Sequence, residues 1–213
     1  MGKIYIFSGL GVDESVFDSF SFEGMDVQFI TWITPLSKES IAAYAKRLAL
    51  QIKDDLPILI GLSFGGMVAV EIAQYIPTKK VILIASAQNK YELPIYYRIA
   101  GKLNMHKLIP PRILKSSNPL AAYLFGVTTK AEKALLKTIL HDTDPLFLAW
   151  AIDQIVKWKR TSYSDAIIHI HGTKDKILPI RNTKPSYRIN QGGHFMTVNK
   201  SIEIENLLLQ IIA

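Results

Sequence analysis

Apolar positions in this chain come first in short unbroken runs. Lys3 to Phe7 is apolar and β-branched or aromatic and stops at Ser8-Gly9-Leu10-Gly11. Asp26 to Trp32, Pro57 to Leu62, Val81 to Ala85 and Ala166 to Ile170 repeat the pattern, and Pro185 to Ile189 is a weaker version of it. Each has the length and side chains of a strand. None alternates apolar with polar, as a strand with one wet face must, so the runs predict a parallel sheet covered on both faces. Between them the period lengthens. Ser37 is placed to cap a helix carrying Ile41, Ala45, Leu48 and Ile52 at spacings of four, three and four, the stripe that a helix lays on a sheet. A second helix holds Val68, Ile72 and Tyr75 and ends by Pro77, and an amphipathic helix runs from Asn199 to Ile212. The predicted fold class is α/β, with about six strands, all parallel.

From about Gln88 to Arg160 the strand rhythm is lost. Pro94, Pro110-Pro111 and Pro119 separate short helical patterns, so this stretch reads as an all-helical insertion. Thr129 with Glu132 forms a capping box, and Asp144-Pro145 offers a cap followed by proline at the first helical position. The latter helix carries Phe147, Leu148, Trp150, Ala151, Ile152, Ile155 and Trp158 around most of its circumference, so it must be covered on more than one side.

Composition agrees with a folded chain. Of 213 residues 49% are apolar and 20% charged, which is too apolar for a disordered chain. That length suits one domain with an inserted sub-domain: 1–87 and 161–213 as a discontinuous core, 88–160 as the insertion. No apolar run approaches the roughly 18 residues of a membrane span, and the run after Lys3 is too brief for a signal-peptide core. The expected location is cytoplasmic. Without cysteine there is no disulfide, no thiolate nucleophile and no Cys-ligated metal, and serine leads as the candidate nucleophile.

Gly61-x-Ser63-x-Gly65 lies where an apolar strand turns into a helix. In a nucleophile elbow a serine occupies that sharp turn, and the flanking glycines leave room for chain passing close by. Serine needs a base, usually a histidine oriented by a carboxylate. His171-Gly172-Thr173-Lys174-Asp175 puts a carboxylate after a late strand, and Gly192-Gly193-His194-Phe195 puts a histidine before the last helix. The order is Ser63, Asp175, His194.

With that order and that elbow, the sequence resembles the α/β-hydrolase superfamily over essentially its whole length. The resemblance implies a three-layer αβα sandwich in which 88–160 is a helical lid. It implies that Ser63 attacks an acyl carbon, His194 shuttles the proton and Asp175 orients the imidazole. The backbone N–H groups of Phe64 and Leu10 would form the oxyanion hole. Many relatives have His-Gly where this chain has Ser8-Gly9, and family members usually begin with two strands ahead of this one, so a trimmed sheet is expected here. The implied reaction is hydrolysis of a carboxylic ester or thioester, without metal or organic cofactor. The same residues would serve a carbon–carbon hydrolase or lyase, and the fold could also host a non-catalytic binder.

Other candidates have plainer readings. His169 and His171 alternate on a strand and read as structural rather than metal-binding. Asp165 precedes its strand, at the end away from the chemistry. His106 and His141 read as surface residues of the insertion. Gly9-x-Gly11 does not open a dinucleotide site, because Asp13-Glu14 would repel phosphate. The insertion holds 12 Lys/Arg against 5 acids, while the remainder carries 13 of each, so the whole surplus of seven sits there. A solvated surface accounts for this. So would attraction of an acidic partner such as acyl carrier protein, an anionic acyl ester or an anionic membrane, and nucleic acid fits less well.

Overall fold

The computed structural model describes residues 2–10, 14–108, 110, 113 and 115–213. Gly11, Asp13, Pro111 and Arg112, used in the sequence reading, lie outside them. Alternation along β1 (Ile4–Phe7) shows how the sheet is covered. Tyr5 and Phe7 enter one apolar cluster, Ile4 and Ile6 the other, and all four are buried. β3 (Ile58–Leu62) divides in the same way, Leu59 to one side and Ile58 and Ile60 to the other. An unbroken apolar run is the pattern of a strand with two dry faces.

With β2 (Val27–Phe29), β4 (Lys80–Ile84), β5 (Ile167–Gly172) and β6 (Tyr187–Ile189), the strands form one open sheet in the order β2-β1-β3-β4-β5-β6. Every pairing is parallel. The chain steps outward from β1 to β2, then returns past β1 to β3. That reversal makes the β1/β3 boundary the topological switch point, where a crevice opens beyond the carboxyl ends of the strands. Helices α1 (Ile41–Leu48) and α2 (Phe64–Ile72) cover one face; α7 (Met196–Asn199) and α8 (Ser201–Ile212) cover the other.

Several helix boundaries differ from the sequence reading. Ile52 and Tyr75 lie past the ends of α1 and α2. α1 starts after Ser40, whose hydroxyl accepts from Ala43 N–H, rather than after Ser37. Lys38 sits at φ 58°, outside the helical region, and Glu39 bonds Leu36 N–H and Arg47 instead of joining a helix. The C-terminal helix is broken at Lys200 (φ −134°), which separates α7 from α8.

Helices α3 (Ile95–Lys102), α4 (Pro119–Phe125), α5 (Lys130–Asp142) and α6 (Pro145–Val156) all lie between β4 and β5. Both expected caps are present: Thr129 and Glu132 exchange bonds at the start of α5, and Asp144 accepts from Phe147 N–H at the start of α6. α6 is covered on two sides. The Trp150 ring lies 4.5 Å from that of Tyr44, tilted 45° to it, and donates its indole N–H to Glu39 O, while Leu148, Ile152 and Ile155 face a cavity. His141 is exposed, as expected. His106 is not a surface residue: its side chain is 7% exposed and its Nε2 lies 2.7 Å from Asp153 Oδ1, because α6 packs over it. Among the described residues no helix is long and apolar enough to cross a membrane.

Candidate active site

Ser63 ends β3 and caps α2 at φ 51°, ψ −119°, a conformation that a residue with a Cβ adopts at a cost of order 1–3 kcal/mol. Its surroundings hold it there. Ser63 N–H donates to Ile84 O at 2.9 Å, and its carbonyl accepts from the Ser86 hydroxyl at 2.6 Å. A Cβ on Gly61 would overlap the backbone of Gly65 and Gly66, and one on Gly65 would overlap the carbonyl oxygens of Phe7 and Ser8. The two glycines let α2 start directly above β1 and β3, at the switch point.

The hydroxyl raised by this turn meets two other loops. Ser63 Oγ lies 2.8 Å from His194 Nε2, and His194 Nδ1 lies 2.8 Å from Asp175 Oδ2. In the tautomer this network selects, Nδ1–H donates to the carboxylate and Nε2 accepts from the serine. Asp175 follows β5 and His194 follows β6, so all three side chains come from carboxyl ends of strands. Asp165 is exposed and precedes β5, about a strand length of 20 Å from that edge.

The acid is tied down on every side. Asp175 Oδ1 accepts from Ile177 N–H at 2.9 Å and Leu178 N–H at 2.8 Å. His171 Nε2–H donates to Leu178 O at 2.7 Å, and the Tyr97 hydroxyl donates to Ile177 O at 3.2 Å. Burial pushes the Asp175 carboxyl up, but the charge and hydrogen bond of His194, with help from His171 and Leu178 N–H, outweigh it. The acid is held below its ordinary range. His169 and His171 are both buried, with His169 Nε2 3.0 Å from His171 Nδ1. The histidine loop is clasped from above by α4. Gly126, at φ 75°, ends that helix 3.2 Å from where a Gly193 Cβ would lie, Phe195 N–H donates to Phe125 O, and the Phe125 ring stands edge-on 5.8 Å from the imidazole. Tyr97, Phe125 and the loop-holding part of His171 were not visible in sequence. Only the Gly after a helical pattern signalled a cap at 126.

Ser63 and His194 open into a cavity of about 360 Å³. Its walls are almost wholly apolar: Met67 from α2, Leu124 from α4, Ile139 from α5, and Leu148 and Ile152 from α6. Leu10 and Phe64 line it beside Ser63, and among the described residues no acceptor takes either backbone N–H. Where relatives of the resembled family carry histidine, the Ser8 hydroxyl accepts from the Trp32 indole N–H at 3.2 Å. The arrangement can raise the nucleophilicity of a serine oxygen and hold an apolar group next to it.

No protein-family model matches the chain, and no curated protein matches it by sequence. Solved structures do resemble it. A hydrolase from Oleispira antarctica superposes with a TM-score of 0.69 at 14% identity, covering 100% of this chain and 91% of that one. MenH from S. aureus gives 0.69 at 15% identity, covering 98% and 92%. A thermophilic esterase from Thermogutta terrifontis gives 0.67 at 15% identity, covering 100% and 89%.

Proposed function

We propose, from the α/β-hydrolase fold that this chain has, that it is a serine hydrolase cleaving a carboxylic ester or thioester through an acyl-enzyme on Ser63. The observation that supports this most is the unbroken hydrogen-bonded line Ser63–His194–Asp175 at one end of an apolar cavity. His194 Nε2 takes the hydroxyl proton as Oγ attacks the acyl carbon, and Asp175 stabilises the imidazolium without itself taking the proton. The oxyanion is received by the N–H groups of Phe64 and Leu10, each donor worth about 3 kcal/mol in the transition state. His194 then protonates the departing alcohol or thiol. Water, deprotonated by the same ring, releases the carboxylate and restores Ser63. No step needs a metal or an organic cofactor. Helices α3 to α6 act as the lid, and their inner faces contribute to the acyl pocket.

A fluorophosphonate probe tests the reading. Wild type is expected to be labelled, Ser63→Ala not at all and His194→Ala weakly, with ester turnover in Ser63→Ala reduced about 10⁴-fold or more. An unlabelled wild type with correctly folded spectra rejects it.

A further inference from the structure

Between Glu92 and Glu132 the chain has not one Asp or Glu, while Arg98, Lys102, Lys107, Arg112, Lys115 and Lys130 are basic. The same stretch leaves large apolar side chains in the open. On α3, Ile95 and Ile99 are 63% and 50% exposed, Tyr96 is exposed beside them, and Leu103 follows at 62%. At 100° per residue these four fall within an arc of about 100°, with Lys102 and Arg98 at its edge. The opposite side of α3 is occupied: Tyr97 lines the cavity, and Gly101 packs so tightly on α6 that a Cβ would overlap Val156. α4 repeats the design, with Leu120 and Tyr123 exposed and Leu124 and Phe125 on the cavity wall.

Two helices thus join the cavity to the outside, each showing apolar side chains outward within a stretch of sequence that has cations and no anions, and Lys176 lies over the Tyr123 ring on α4. A helix kept only for solubility would place its charges where these residues stand. We propose that the outward faces of α3 and α4 dock the protein on an anionic lipid surface. Aliphatic and aromatic side chains enter the boundary between headgroups and acyl chains, and Lys102 and Lys107 pair with the headgroups. An acidic protein would match the cations but leave Ile95, Ile99 and Leu103 against a polar partner surface. A bilayer accepts both components. Docking is independent of the chemistry at Ser63; only the passage of an ester from the bilayer into the cavity rests on the proposed hydrolase reading.

Flotation of the full chain with vesicles decides the matter, using phosphatidylcholine alone and phosphatidylcholine with 30 mol% phosphatidylglycerol as an order-of-magnitude anionic content for a charged leaflet. The expected result is strong association with the anionic vesicles, weak association with the neutral ones, and release by about 1 M NaCl, where the screening length falls to about 3 Å. Lys102→Ala and Lys107→Ala are each expected to weaken association about fivefold, and Ile99→Glu or Leu103→Glu more than about tenfold. All four variants should retain wild-type turnover of p-nitrophenyl acetate. Failure to float with either vesicle overturns the proposal, as does equal association with both that the lysine changes do not alter. Capture of the chain by immobilised apo acyl carrier protein, with no vesicle association, overturns it in favour of an acidic protein. Vesicle association without ester turnover leaves docking standing and rejects the hydrolase reading instead.

Discussion

Serine at position 63 sits in a backbone conformation that glycine would hold without strain, which makes two truncations of the same side chain unequal. Both Ser63→Ala and Ser63→Gly remove the hydroxyl and its bond to His194, but alanine keeps the strained Cβ at φ 51° while glycine does not. Relief of about 1–3 kcal/mol less the roughly 0.5–1 kcal/mol entropic cost of glycine leaves Ser63→Gly about 1 kcal/mol more stable than Ser63→Ala. Urea midpoints of the two variants check this, and equal midpoints would mean that the strain is no larger than the entropic cost of glycine. The second residue-scale effect concerns the histidines behind Asp175. The His169 imidazole is pushed down to about 3, by burial first and by His171 second. His171 is lowered too, burial again leading and Asp175 opposing. In the unfolded chain both rings take a proton near pH 6.5, so below that pH the unfolded state binds more protons than the native one. Stability therefore falls as pH drops below about 6.5, by up to about 1.4 kcal/mol per pH unit for each ring still neutral in the native state, for His169 as far as about 3, and is indifferent to both rings at higher pH. Asp175, held low, adds a loss of the same sign below about pH 3.9, its ordinary unfolded value. His169→Gln should flatten the slope between pH 6.5 and 4 even if it lowers stability overall, whereas an unchanged slope would remove His169 from the account.

Elements were legible in the sequence where their signals are local. The capping box of Thr129 and the cap of Asp144 depend on residues within four positions, and both helices start where those residues say. The elbow was legible because its glycine spacing is itself local, although the contact that demands Gly65 comes from Phe7 and Ser8 at the end of β1. What escaped was set by contacts distant in sequence. Ser37 and Ser40 are equally good caps by pattern, and the choice falls to Glu39, which turns away to bond Leu36 and Arg47. His106 looked exposed because nothing near it in sequence announces Asp153, 47 positions later. Tyr97 lies in a stretch that reads only as helix, and its role follows from α3 lying against the 175–178 loop. That packing depends on Gly101, where a Cβ would overlap the carbonyl of Val156 on α6. Gly101→Ala has to push α3 away from α6, at a cost of about 1–3 kcal/mol, and with it the Tyr97 hydroxyl from Ile177 O. Trypsin cleavage after Lys102 and Lys107 is expected to speed up several-fold in this variant. Unchanged cleavage would show that the two helices yield elsewhere.

At the scale of the molecule, loops at the carboxyl edge of the sheet supply Ser63, His194 and Asp175, and the segment between β4 and β5 supplies about half of the wall around them. Loops after β1, β3, β5 and β6 all emerge at the carboxyl edge, as a parallel sheet requires, and those after β5 and β6 reach back across β4 to Ser63 at the switch point. The cavity beyond them is shaped by α4, α5 and α6, whose mutual packing has no counterpart in any local pattern. Specificity for the acyl group should therefore be separable from reactivity. If the apolar cavity of about 360 Å³ receives the acyl chain, each methylene buried contributes about 0.8 kcal/mol, close to fourfold in kcat/KM. p-Nitrophenyl esters from acetate to octanoate should then rise by about that factor per carbon until the cavity is full. Ile152 on α6 lines the cavity and touches none of Ser63, His194 or Asp175 through the hydrogen bonds that fix them. Ile152→Trp should fill space that long chains need, cutting kcat/KM for octanoate by tenfold or more, on the order of two buried methylenes or beyond, while leaving acetate within about twofold. A flat profile in wild type would reject an acyl pocket at this place. A parallel loss on acetate and octanoate in Ile152→Trp would mean that the helical wall and the reacting groups cannot be altered independently.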